Sequence, residues 1–150
     1  MLSQLNHGNV IRCEGWFWDH KKGALIIVLE YCENGDLFKL IQRRKARSKY
    51  FDESYIWHMF HQICLAVRHL HENGIIHRDL KALNIMLTRG NTVAKLADLG
   101  VSRQVSEDTM MLKTFYGTPL YLSPELVDNA AYNEKTDMWK AYVQSVLPDD

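Results

Sequence analysis

Residues 52–73 constrain the fold more than any other segment. Ile56, Phe60, Ile63, Val67 and Leu70 recur at steps of four, three, four and three residues, which places them on one face of a 3.6-residue period. Asp52 is positioned to cap the start, with Glu53 in the first turn, and Gly74 can close the end in a left-handed conformation. A helix with one apolar stripe must bury that stripe against other elements. Residues 10–18 and 24–30 are rich in β-branched and aromatic types and flank the polar turn Asp19-His20-Lys21-Lys22-Gly23, so they read as a β-hairpin. Residues 75–76, 85–87 and 93–97 read as further short strands, the last two joined at Arg89-Gly90-Asn91. A turn at Glu33-Asn34-Gly35-Asp36 precedes a short helix over 37–41, and a final helix is expected over 136–147, ended by Pro148. Together these elements make an α+β chain.

Composition narrows the function. With 150 residues and 47% hydrophobic content the chain is long enough for a real core. Eighteen basic side chains balance 18 acidic ones, which removes the simplest argument for a nucleic-acid or polyanion binder. The basic stretch Lys39, Arg43, Arg44, Lys45, Arg47, Lys49 reads as a solvated helix end and loop, in preference to a docking patch for an acidic partner. Cys13, Cys32 and Cys64 form neither a CxxC nor a CxH pattern, so neither a disulfide framework nor a zinc site is indicated and a reducing compartment is expected. His58, His61, His69 and His71 lie on the long helix without an evident third ligand and read as surface or packing residues. The first residues lack the basic start and apolar run of a signal peptide. The longest apolar run, 24–29, is too short to cross a bilayer. The expectation is a soluble, cytoplasmic protein, with nuclear or cytoskeletal association as the alternative, and with neither a membrane nor a nucleic-acid partner.

The chemistry is concentrated in His77-Arg78-Asp79-Leu80-Lys81-Ala82-Leu83-Asn84, on a loop between two short strands. This fits the pattern H-R-D-L-x-x-x-N. A chance match to its fixed residues in a chain this long is on the order of one in ten thousand or rarer. Asp98-Leu99-Gly100 follows the strand hairpin, and Gly117-Thr118-Pro119 precedes Ser123-Pro124-Glu125. Residues 99–123 lack periodicity, and a loop that long is usually functional.

The stretch 5–139 resembles a eukaryotic protein kinase, and its details are most similar to the NIMA-related Ser/Thr kinases. The closer likeness rests on Leu29-Glu30-Tyr31-Cys32-Glu33-Asn34-Gly35-Asp36-Leu37, on Leu99 in Asp98-Leu99-Gly100, and on Lys113-Thr114-Phe115-Tyr116-Gly117-Thr118-Pro119. The resemblance implies a protein-kinase-like fold in truncated form: part of the small-lobe sheet plus the first, mainly helical half of the large lobe. Residues 1–31 would be a small-lobe remnant and hinge, 32–139 the large-lobe core, and 140–150 a divergent tail.

It also implies transfer of the γ-phosphate of ATP, with Mg²⁺, to Ser/Thr hydroxyls of protein substrates. The catalytic residues would be Asp79, which takes or orients the hydroxyl proton, Lys81, which reaches the γ-phosphate, and Asn84. Asn84 and Asp98 would be the Mg²⁺ ligands, since hard oxygens suit that cation. ATP would meet Leu29, Glu30, Cys32, Asp36 and Met86: the Glu30 carbonyl and Cys32 backbone at the adenine edge, Leu29 behind, Met86 beneath. Arg78, Thr114 and Thr118 would be regulatory. A phosphate on Thr114, placed by an upstream kinase or by autophosphorylation, would pair with Arg78, and Thr118 would bond near Asp79. Asp137 would hydrogen-bond the catalytic-loop backbone.

Some expected parts are missing. The chain has no G-x-G-x-x-G, no V-A-I-K-like segment and no partner Glu. Lys140 stands where a small residue is expected, and Glu125 would pair with an Arg that these residues do not include. The expectation is therefore a fragment from an incomplete gene model or alternative transcript, its last eleven residues translated intron. The alternative to an enzyme is a catalytically impaired fragment acting as a binding or competing module.

Overall fold

The computed structural model describes residues 5–99, 103–104, 123–127 and 134–146. Three antiparallel ladders form among them: β1 (Cys13–Asp19) with β2 (Ala24–Leu29), β4 (Ile85–Thr88) with β5 (Val93–Leu96), and β3 (Ile75–Ile76) with β6 (Arg103–Gln104). Helices α1 (Leu37–Lys45), α2 (Glu53–Glu72), α3 (Pro124–Val127) and α4 (Glu134–Val146) complete the described elements. None of these helices is long and apolar enough to cross a membrane.

The core lies where α2 meets β3, β4, β5 and α4. Met59, Ile63, Ala66, Val67 and Leu70 of α2 pack with Ile75, Ile85, Leu87, Ala94, Leu96 and Ala141. The first part of the predicted stripe departs from this pattern. Ile56 is exposed and Phe60 half-buried, because there α2 faces a cleft of about 590 Å³ shared with Leu37, Ile41, Tyr50 and Phe51. Gly74 closes the helix with φ 67°, as expected. Asp52 caps through its backbone alone: its carbonyl accepts from Tyr55 and Ile56 N–H at 3.0 and 3.2 Å, while its side chain makes no capping bond.

Helix α1 runs to Lys45, four residues further than expected. Asp36 Oδ1 accepts the Lys39 amide at 2.8 Å to start it. Arg43, Arg44 and Lys45 fill its last turn, where cations favour the carbonyl end of the helix. The basic stretch is thus a helix terminus and the turn after it.

The first strand begins at Cys13 and not at residue 10. Residues 9–11 instead strap onto β5: Ile11 N–H donates to Leu96 O at 2.9 Å and Leu96 N–H to Asn9 O at 2.8 Å. Val10 is thereby 1% exposed, and this burial outweighs its strand-like company in the sequence. Asn9 Nδ2 donates to Gln62 Oε1 and to Ala94 O, both at 2.9 Å, so the strap, α2 and β5 share one satisfied polar cluster.

The two hairpin turns differ in support. Asp19 Oδ1 alone caps the β1–β2 turn, through the Lys21 and Lys22 amides. The β4–β5 turn places Arg89, Gly90 and Asn91 all at positive φ. It is tied from outside by Asn34 Oδ1, which accepts from the Gly90 and Asn91 amides, and by the Glu33 carboxylate, which accepts from Arg89 N–H and Thr88 Oγ1.

Candidate active site

The loop 77–84 connects β3 to a 3₁₀ turn (Ala82–Asn84) that leads directly into β4. Its backbone is gripped from below by α4. Asp137, fully buried, accepts the His77 amide on Oδ2 at 2.8 Å and the Arg78 amide on Oδ1 at 2.9 Å. The resemblance implied this brace. His71, read from the sequence as a surface or packing residue, also meets Asp137 Oδ2, with Nε2 at 2.9 Å. Nothing in its local pattern marks it, because the contact spans 66 residues.

His77 is fully buried, and burial pushes its pKa below the ordinary 6.5. The neutral ring then has one donor and one acceptor. Nε2 sits 3.0 Å from Ala97 O, which can only accept, so Nε2–H donates and Nδ1 accepts the Asp79 amide at 3.3 Å. Arg78 between them adopts φ 73°. A left-handed non-glycine residue costs about 1–3 kcal/mol and persists only where its surroundings hold it.

The side chains of the expected catalytic trio converge. Lys81 Nζ lies 2.6 Å from Asp79 Oδ2, and Asn84 Nδ2 donates to the same oxygen at 3.0 Å and to Asp79 O at 2.7 Å. Burial works to raise the Asp79 pKa. The Lys81 ammonium, the Asn84 amide and the nearby Lys140 outweigh it and hold the carboxyl below its ordinary 3.8. Asp79 is a carboxylate with Oδ2 occupied, which leaves Oδ1 to meet a further proton donor.

The two expected metal ligands are brought to one edge. Ala97 N–H donates to Asn84 O at 2.8 Å, joining the end of the loop to the residue before Asp98. Asn84 spends its nitrogen on Asp79, so its amide oxygen is the group it can offer a cation. Asp98 is exposed and left-handed, with φ 59°, a conformation that Asp tolerates better than most residues. One carboxylate and one neutral oxygen suit Mg²⁺, which keeps several waters and takes remaining ligands from phosphates. Among the described residues no group of three His, Cys, Asp or Glu side chains forms a metal cage.

The expected nucleotide-binding residues line the junction of β2, the 32–35 turn and β4. Asn34 N–H donates to Leu87 O at 3.1 Å, and Leu87 N–H to Gly35 O at 2.8 Å, which fastens that turn to β4 beside Met86. Leu29 remains 42% exposed at the end of β2, and Met86 is half-buried, so apolar surface is available there to an aromatic ring. Cys32 is buried, and burial pushes its thiol pKa up, which disfavours the thiolate. The Glu30 carboxylate is taken by Lys95 Nζ at 3.0 Å and the Arg12 amide at 2.6 Å. Asp36 Oδ1 caps α1, and its Oδ2 pairs with Lys39 Nζ at 3.0 Å.

Glu125 Oε1 accepts from Thr136 Oγ1 at 2.7 Å. Burial raises its pKa, but the hydroxyls of Thr136 and Ser123 and the Lys135 charge leave it lowered overall. Thr114, Thr118 and Gly100 lie outside the described residues. Helix α4 runs without a break through residues 139 and 140, and Lys140, Ala141 and Val143 beyond that point are buried. Sequence reasoning noted Lys140 only as a departure. Its ammonium in fact reaches the loop, donating to Arg78 O at 2.7 Å.

The family model described as "Protein kinase domain" matches residues 1–143. The chain is 42% identical over 139 residues to serine/threonine-protein kinase Nek1 of Mus musculus, covering 93% of this chain and 11% of that protein. It is 42% identical over 139 residues to serine/threonine-protein kinase Nek5 of Homo sapiens, covering 93% of this chain and 19% of the relative. For serine/threonine-protein kinase Nek2 of Homo sapiens the identity is 38% over 144 residues, covering 93% of this chain and 32% of the relative. The chain thus spans a third or less of the length of these curated relatives.

Proposed function

This chain belongs to the protein kinase family, and from that premise we propose that its 77–84 loop serves transfer of the γ-phosphoryl group of ATP to Ser and Thr hydroxyls of protein substrates. One observation carries the reading: an ionised Asp79 pinned between Lys81 and Asn84, on a loop whose backbone is fixed by a buried carboxylate.

Phosphoryl transfer has a loose transition state, so the protein's work is positioning and charge neutralisation. Asp79 Oδ1 accepts the proton of the attacking hydroxyl as its oxygen bonds to phosphorus and ADP departs. Lys81, already beside that carboxylate, offsets negative charge on the transferred group. Asn84 and Asp98 would hold Mg²⁺, which when bound neutralises phosphate charge. The backbone of Glu30 and Cys32 would meet the adenine edge, with Leu29 and Met86 supplying apolar contact. Thr114 would be the phosphoacceptor that pairs with Arg78, modified by an upstream kinase or by autophosphorylation, and Thr118 would support Asp79.

The test uses the purified chain, Mg²⁺, γ-labelled ATP and a Ser/Thr peptide mixture. Asp79→Asn is expected to lower transfer by at least about a hundredfold, and removal of Mg²⁺ to abolish it. Transfer that is equal in both proteins contradicts the reading. Absent transfer, together with capture of a partner that survives Asp79→Asn, favours the binding-module alternative.

A further inference from the structure

Lys140 is unusual by burial alone. Its residue is 1% exposed, although a lysine on a helix ordinarily carries its ammonium out to water. A buried ammonium persists only with partners. Here Nζ donates to Arg78 O at 2.7 Å, and Asp137, one turn earlier on the same face of α4, is the buried carboxylate nearest in sequence. Burial pushes the Lys140 pKa down, while the charges of Asp137 and Asp79 pull it back up.

The bond falls at a particular place. Asp137 takes the amides of His77 and Arg78, which lie before the left-handed residue. Lys140 takes the carbonyl that lies after it. The N–H of that same peptide unit, at Asp79, is taken by His77 Nδ1. The peptide plane between Arg78 and Asp79 is therefore held at its oxygen by Lys140 and at its nitrogen by His77. Rotation of that plane is what would redirect the Asp79 Cα–Cβ bond. We propose that Lys140 is a positioning residue of the catalytic loop: its buried ammonium fixes the Arg78–Asp79 peptide plane and so aims the Asp79 carboxylate. As a statement about catalysis this rests on the kinase reading, whereas the holding of the loop is independent of it.

Lys140→Met keeps most of the stem and removes the donor, leaving the buried Arg78 carbonyl without it. Residue-resolved amide hydrogen exchange is expected to show the Asp79 amide exchanging about tenfold faster or more, with the α2 core amides from Met59 to Leu70 unchanged. In the transfer assay kcat is expected to fall about tenfold, with KM for ATP unchanged. If the methionine chain does not fold, Lys140→Gln carries the same test, because its stem is one bond too short to reach the carbonyl.

Unchanged exchange at Asp79 overturns the proposal. So does exchange that rises equally at Asp79 and in α2, since Lys140 would then support the whole fold and not the loop. A wild-type chain that transfers no phosphate, combined with faster exchange confined to the loop in the variant, removes the kinase reading and leaves the loop-holding role standing.

Discussion

The 77–84 loop and the β1–β2 hairpin are built in opposite ways. The loop is tied to distant residues, Asp137 and Lys140 of α4 and Ala97 after β5, and is joined within itself through Asp79, Lys81 and Asn84. The hairpin is joined mainly to itself, with the Glu30 amide donating to Arg12 O at its base. Its Trp16, Phe17, Trp18, Leu25, Ile27, Val28 and Leu29 are exposed. A two-stranded hairpin alone is marginal in water. The loop, by contrast, carries a left-handed Arg78 that only a surrounding network can maintain. Backbone regularity is thus no guide to rigidity here: the irregular segment has the denser fastening.

The largest consequence is expected at Asp137. Asp137→Ala leaves two buried amides without their acceptor, each costing about 1–3 kcal/mol. A loss of roughly 2–6 kcal/mol should appear in urea unfolding, a large share of a typical domain's stability. A loss below about 1 kcal/mol would mean that the loop is not fastened through α4.

The next effect is on pH. His77 and His7 both have pKa values lowered from 6.5, chiefly by burial. In the window below 6.5 the unfolded chain binds protons that the folded chain refuses, so stability falls as pH drops through it. Asp79 adds a lower window. Its stabilising share is present above 3.8 and is lost as pH falls through its depressed folded value. Urea midpoints between pH 7 and pH 5 should decline, and His77→Asn should flatten the decline. An equal decline in that variant would place the titration elsewhere.

The smallest effect is expected in the hairpin. Trp16 is 67% exposed, so Trp16→Ser should change stability by no more than about 0.5 kcal/mol. A larger loss would show that the hairpin's outer face is covered, and would weaken the contrast.

What the sequence made legible follows the same division. The apolar period of α2 from Ile63 to Leu70, the hairpin turns and the Asp79, Lys81 and Asn84 cluster all rest on spacing within a short segment, and the structure brings those residues together. Asp137 was legible only through family resemblance, since its contacts cross about 60 residues. Val10 reads as a strand residue, but it is buried by a pairing with β5 that no local pattern announces. Lys140 stands out in the sequence only as a departure from a small residue, and its three-residue step from Asp137 is the one sequence clue to its direction. Asp36 sits ahead of an apolar helix, and its Oδ1 caps that helix while its Oδ2 pairs with the Lys39 ammonium.

Residue-resolved amide hydrogen exchange on the intact chain tests the contrast most directly. The amides of His77 and Arg78 are predicted to exchange only with global unfolding, as slowly as the α2 core, while the β1 and β2 amides exchange through local opening at much lower free energy. Hairpin amides as protected as His77 and Arg78, or loop amides that open first, would contradict a 77–84 loop held in place by α4.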